Sequence, residues 1–199
     1  MKWIMIATLV SMGFGVGSAA FALAAGRPRE ETVDLAGGCF WGMEEILRKI
    51  PGVIRTEVGY EGGTTPHPTY EDVHAGTTGD AEVVRVVFDP GKLPFEELLR
   101  WFFRMHDPTT PDRQGNDVGP SYRSVIFYHT EAQRQTAEAV KAKVDKYGQW
   151  GAPVVTQIVK AGRFQRAEAE HQDYLQRYPY GYTCHFLRPE SILGTWPKK

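Results

Sequence analysis

The sequence predicts an α+β fold: a single-domain, two-layer sandwich in which helices pack on a mixed β-sheet. Three observations carry this. Strand-like apolar runs alternate with amphipathic helical runs along most of the chain. Two strand-like runs stand between the first two helical ones, so the pattern is not a pure β-α alternation. One of these runs, "EVVRVVF" (Glu82 to Phe88), is β-branched on both faces, as a central strand should be.

In chain order, "ETVDLAG" reads as a strand ending at Gly37-Gly38, and residues 40–49 as a helix stopped by Pro51-Gly52. "VIRTEVGY" is the next strand, followed by a Gly/Thr/Pro loop through Gly79. After the strand at Glu82, "DPGK" turns the chain into a helix with Pro94 near its first turn and Phe95, Leu98, Leu99 and Phe102 on one face. "DPTTPDRQGNDVGPS" is a long irregular loop, of the kind that is usually functional or disordered. "YRSVIFYH" is a strand. Thr130 then caps a helix, Gln133 completes a capping box, and the helix ends at Gly148. "PVVTQIVK" reads as a strand, "QRAEAEHQDYLQRY" as a helix, and the tail after Pro179 as irregular and mobile.

The 199 residues suffice for one domain with a sizeable core. A net charge of −1, with both signs mixed along the chain, argues against a nucleic-acid binder. The opening "MKWIMIATLVSMGFGVGSAAFALAAG" combines Lys2, an apolar run and the small-residue site Ala22-Leu23-Ala24. It predicts a signal peptide over residues 1–24, cleaved after Ala24, and export, to the periplasm in a bacterium. An uncleaved membrane anchor is the alternative, because the run is nearly long enough to span a bilayer. Residues 25–31 are then a short N-terminal segment, and residues 32–199 the working domain.

Chemistry centres on "GGCFWGMEE". Cys39 falls at a helix start, where free N–H groups and the positive dipole end favour a thiolate. Phe40 and Trp41 beside it suit a small apolar pocket for a methyl or methylene group. The plainer reading is a buried, inert thiol. Glu82 shares a face with Val84, Val86 and Phe88, so burial would hold it protonated as a general acid; a solvated strand end is the plainer reading. Tyr70 and Tyr122 can aim phenolic donors at a developing oxyanion or fill a core. Asp117, in the long loop, is by itself a turn residue. Cys39 and Cys184 are the only cysteines; in an oxidising compartment they default to a structural disulfide, and no C-x-x-C is present. No zinc spacing, H-E-x-x-H or G-x-S-x-G occurs.

"GGCFWGMEE" resembles the signature of the peptide methionine sulfoxide reductase A family. "GYEGG…PTYEDV", "TGDAEVVRVVFDP", "FFRMHDPTTPDRQGNDVGPSYRSVIFYH" and "GYTCHF" follow in the family's order, from about Thr32 to Pro189. The resemblance implies repair of oxidised proteins by reduction of methionine-S-sulfoxide, protein-bound or free. It implies Cys39 as nucleophile, Phe40 and Trp41 as the pocket for the S-methyl group, and Glu82 as the acid, helped by Tyr70 and Tyr122. Asp117 would organise the polar network. Cys184 would resolve a Cys39 sulfenic acid into a Cys39–Cys184 disulfide. No metal or organic cofactor is implied, only a thioredoxin-like dithiol reductant. Two positions depart from the family pattern: His74 stands where cysteine is frequent, and Asp80 where histidine is common. Neither is expected to touch the chemistry directly, although Asp80 would raise the Glu82 pKa if close. The reading from another class is a non-catalytic binding domain stapled by Cys39–Cys184.

Overall fold

The computed structural model describes residues 29–196; the predicted leader, residues 1–24, lies outside them. The chain runs β1 (Glu31–Gly37), α1 (Phe40–Leu47), β2 (Val53–Glu61), α2 (Tyr70–His74), β3 (Ala81–Phe88) and α3 (Phe95–Met105). It continues with β4 (Arg113–Gln114), β5 (Asp117–Val118), β6 (Ser124–Tyr128), α4 (Glu131–Tyr147), β7 (Gln157–Lys160), β8 (Gln165–Arg166) and α5 (Tyr174–Arg177). Six strands form one sheet in the order β7-β6-β1-β3-β2-β8. Every neighbouring pair in it is antiparallel except β6–β7, so the sheet is mixed.

The β-branched run of β3 does sit centrally, between β1 and β2. Its alternation sends Val84, Val86 and Phe88 into the main core with Phe40, Met43 and Leu47 of α1, Leu98, Leu99 and Phe102 of α3, and Val140 of α4. Val83 goes to the opposite face, in a small cluster with Ala36, Val125 and Phe127 that Phe164 covers. Glu82 therefore reaches the helical face of the sheet from the end of β3.

Four sequence expectations are corrected. The stretch read as a Gly/Thr/Pro loop through Gly79 contains α2, so one strand, not two, separates the first two helices. Residues 165–178 are not one helix, despite their good helix formers. Gln165 and Arg166 pair with the β2 edge, opposite Tyr60 and Gly59. Gln172 then accepts from the Val58 N–H at 3.0 Å and donates to the Val58 carbonyl at 2.9 Å, acting as a substitute strand. Satisfying an open sheet edge outweighs helix propensity, and only α5 is helical. The strand expected from Pro153 starts at Gln157. The box at α4 is half formed: Thr130 accepts from the Gln133 N–H, but the Gln133 side chain accepts from the His129 N–H instead of the Thr130 N–H. A complete capping box stands at α2, between Thr69 and Asp72.

The loop after α3 is folded into the β4–β5 hairpin and a short 3-10 turn at Pro120–Tyr122. The tail was expected to be irregular throughout; it has no regular structure from Pro179 to Pro189 but ends in a 3-10 turn at Glu190–Leu193, and it is seated on α1. A Cβ at Gly42 would collide with Thr183 and approach His185 Nδ1 to 2.9 Å. Among the described residues no helix is long and apolar enough to cross a membrane.

Candidate active site

Cys39 is the N-cap of α1, reached through Gly38 at φ +110°, where any Cβ would also stand 2.6 Å from Gln114. Glycine is required on both counts. The thiol is 5% exposed. Burial, then the neighbouring Glu82, push its pKa well above the usual thiol value; the Trp41 and Gly42 amides facing the sulfur pull it down but do not prevail. The helix N-terminus was expected to favour a thiolate. In the resting site desolvation wins, and Cys39 is a thiol.

The first amide of α1 is committed elsewhere. Phe40 N–H donates to Glu82 Oε2 at 3.0 Å, tying the carboxyl to the residue after the cysteine. Glu82 is 2% exposed, and burial raises its pKa to about 8; the Phe40 amide opposes the shift, and Asp117 adds to it. At neutral pH it is mainly a carboxylic acid. The second carboxylate acting on it is Asp117 and not Asp80, which accepts from Gly63 N–H at 2.8 Å.

Tyr70 opens α2 and Tyr122 closes the 3-10 turn. Burial raises both phenols above the ordinary tyrosine value, with Glu82 the next cause for each. Both are therefore proton donors, facing the same acid. Asp117, on β5, acts on Glu82, Tyr70, Tyr122 and Cys184 alike, and its Oδ1 accepts from the Tyr182 hydroxyl at 2.8 Å. His74 was expected to stand clear of these groups. Its Nδ1 instead lies 3.0 Å from the Tyr122 hydroxyl, and its ring stacks on Tyr70 at 5.7 Å.

Phe40 is fully buried, with ring centroids 5.6 Å from His171, 5.9 Å from Tyr60 and 6.4 Å from Tyr70. Trp41 is partly buried, stacks on Tyr174 at 4.0 Å and donates from Nε1 to His171 Nδ1 at 3.3 Å. Glu168 holds the far side, accepting from the Tyr60 hydroxyl at 2.7 Å and from Tyr70 N–H at 3.0 Å. Sequence reasoning missed Tyr60, Glu168, His171 and Tyr174. Three of these lie in the stretch misread as one helix, where they gave no separate signal.

Cys184 completes the group. Cys184 acts electrostatically on Cys39, the Cys39 backbone amide faces the Cys184 sulfur, and both cysteines are free thiols. Burial, then Asp117, pushes the Cys184 pKa up to about 12. Among the described residues no cluster of three or more histidine, cysteine, aspartate or glutamate side chains is placed to hold a metal.

A buried thiol facing neutral acids suits attack on an electrophile whose oxygen must be protonated before it can leave. A second thiol in reach suits recycling through a disulfide. Fold and site thus define a thiol oxidoreductase. A model of the family described as peptide methionine sulfoxide reductase matches residues 31–192. The chain is 55% identical to "Peptide methionine sulfoxide reductase MsrA" of Nocardia farcinica over 159 residues, 80% of this chain and 91% of the relative. It is 54% identical to the protein of that name from Leifsonia xyli over 163 residues, 82% of this chain and 94% of the relative. Among solved structures it is similar to methionine sulfoxide reductase A of Corynebacterium diphtheriae, at TM-score 0.73 and 40% identity, covering 79% of each chain. It is also similar to reduced Mxr1 of Saccharomyces cerevisiae, at TM-score 0.76 and 37% identity, covering 81% of this chain and 93% of that one. A third likeness is to Mxr1 in complex with Trx2, at TM-score 0.55 and 29% identity, covering 81% and 91%. The chain belongs to the peptide methionine sulfoxide reductase family, and it is an oxidoreductase that reduces methionine sulfoxide at the expense of thiols.

Proposed function

We propose that the substrate is the S epimer of methionine sulfoxide and that Cys39 takes its oxygen as a sulfenic acid. The observation that carries the oxygen transfer is the buried Glu82 carboxyl, held on the Phe40 amide beside Cys39 with its pKa raised to about 8 by burial; the S epimer is what the family resemblance implies. The sulfoxide oxygen sits among Glu82, Tyr70 and Tyr122, with the methyl group against Phe40 and Trp41. Glu82 protonates the oxygen, Cys39 sulfur attacks, and the Cys39 thiol proton restores the acid. Sulfoxide and thiol become methionine and Cys39 sulfenic acid, with all atoms retained.

Cys184 then attacks the Cys39 sulfur and releases water, leaving a Cys39–Cys184 disulfide. A thioredoxin-like dithiol opens that bond; the resemblance to a structure of Mxr1 with Trx2 supports this partner. No resident cofactor enters any step. The leader supports export of the catalytic domain. The intact mass of the protein recovered from cells tests this: loss of residues 1–24 is expected, and a retained leader would mean an anchored protein.

The reaction is tested with the two separated epimers of methionine sulfoxide and dithiothreitol. Methionine from the S epimer alone is expected. Equal turnover of both epimers, or of neither, would overturn the reading.

A further inference from the structure

His185, next in sequence to Cys184, is buried and takes no part in the steps above. Its imidazole is wedged into the cysteine loop. A Cβ at Gly38 would stand 3.0 Å from its Cε1, and one at Gly42 2.9 Å from its Nδ1, so the glycines on either side of Cys39 both make room for this ring. Nε2 lies 2.9 Å from the Gly37 carbonyl oxygen. A carbonyl only accepts, so Nε2 carries the proton. The neutral ring then has a bare lone pair at Nδ1, and the group facing it is Cys184 Sγ at 3.4 Å. The contact has one polarity: the thiol donates and the imidazole accepts.

We propose that His185 is the general base for the resolving thiol, taking the Cys184 proton as its sulfur attacks the Cys39 sulfenic acid. This deepens the reaction above and rests on Cys184 being the resolving residue. The Cys184 S–H bond breaks and its proton passes to Nδ1. The Cys184 sulfur bonds to the Cys39 sulfur, the Cys39 S–O bond breaks, and the departing hydroxide takes the proton back as water. Cys184 sulfur is oxidised, Cys39 sulfur is reduced, and the imidazole ends neutral.

Such a base is needed at this position. With its pKa pushed up to about 12 by burial and Asp117, Cys184 is almost wholly un-ionised at neutral pH. Burial lowers the His185 pKa to about 4, with Arg188 lowering it further and the Gly37 carbonyl and Asp117 opposing; His106 is the other ionisable ring nearby. The ring is therefore neutral across the physiological range, a weak base whose open Nδ1 lone pair, placed against the thiol, can take the proton only as the new S–S bond forms. Asp117 is the other acceptor near the Cys184 sulfur: its Oδ1 receives the Tyr182 hydroxyl, but its buried Oδ2 has no partner of its own and competes with the imidazole for the thiol proton.

The test uses His185→Gln. A glutamine amide can keep the donor to the Gly37 carbonyl while removing the acceptor at Nδ1. Reduced enzyme is mixed with one equivalent of methionine-S-sulfoxide, and methionine and free thiols are followed by rapid quench from pH 6 to 9. In wild type, disulfide formation should be nearly independent of pH. In His185→Gln it should slow by at least about tenfold at pH 7, relative to methionine formation, and rise roughly tenfold per pH unit as the thiolate fraction grows. A merely structural role would not produce that slope. A wild type that makes methionine without losing two thiols would reject Cys184 as the resolving residue, and this inference with it. A wild type that forms the disulfide, matched in rate and pH profile by His185→Gln, would reject the imidazole alone and leave Asp117 as the acceptor.

Discussion

The two halves of the site are built on different kinds of backbone. Cys39 and Glu82 stand where a helix starts and a central strand begins, and one hydrogen bond from Phe40 N–H at 3.0 Å locks them together. Asp117 and Cys184 stand on a two-residue strand and on an irregular tail, held by side chains such as the Tyr182 hydroxyl and the His185 ring. On the proposed mechanism, the chemistry divides along the same line. Oxygen transfer needs a fixed thiol–acid geometry, which packed elements provide. Resolution and reduction need a second thiol that can approach the first and then be opened by a partner protein. Coil pinned by a few hydrogen bonds can do this at lower cost than a strand.

If that division holds, substitutions in the two halves fail in different ways. The largest effect belongs to Cys39→Ser, which should abolish methionine formation with every reductant, because a hydroxyl cannot form the sulfur intermediate. Any measurable turnover of the purified variant would remove Cys39 from its role. Glu82→Gln keeps the shape and a donor but has no proton to release, so single-turnover methionine formation should slow by roughly 10²–10⁴ with the fold intact. A rate within a few-fold of wild type would show that the phenols suffice.

The same acid sets a pH limit on the regular half. Burial holds the Glu82 pKa near 8, raised from its ordinary value, so the active, protonated form is present below that pH and lost above it. Methionine formation should therefore fall as pH rises through about 8, and a rate still climbing there would contradict a neutral acid. The smallest effect is expected from Trp41→Ala. It removes the ring stacked on Tyr174 at 4.0 Å and weakens sulfoxide binding by roughly 1–3 kcal/mol, seen as a raised KM with the chemical step little changed.

Legibility in the sequence follows the same boundary. The β-branched run of β3 and the apolar stripe of α3 announce themselves through period, and β3's alternation also places Glu82 on the helical face. The Gly37-Gly38-Cys39 turn is readable because only glycine tolerates φ +110° at Gly38. Residues 165–178 were misread because their helix propensity is real. What overrides it is the unpaired β2 edge, satisfied by Gln165, Arg166 and the Gln172 amide, and no local pattern shows a tertiary hydrogen bond. His171, Tyr174 and Glu168 were hidden with them. The His74 contact with Tyr122 joins residues 48 positions apart and could not be read from either neighbourhood. The expected thiolate at Cys39 failed for another reason. A helix start is visible in sequence, but the burial that outweighs it is not.

The division of labour between the two halves is tested most directly with Cys184→Ser, by counting methionine per enzyme without recycling reductant alongside thioredoxin-supported turnover. One methionine per enzyme and a stall with thioredoxin as sole reductant are the expected results, with partial rescue by dithiothreitol, a small thiol able to reach the sulfenic acid itself. Undiminished thioredoxin-supported turnover, or no methionine in the first turnover, would contradict the account.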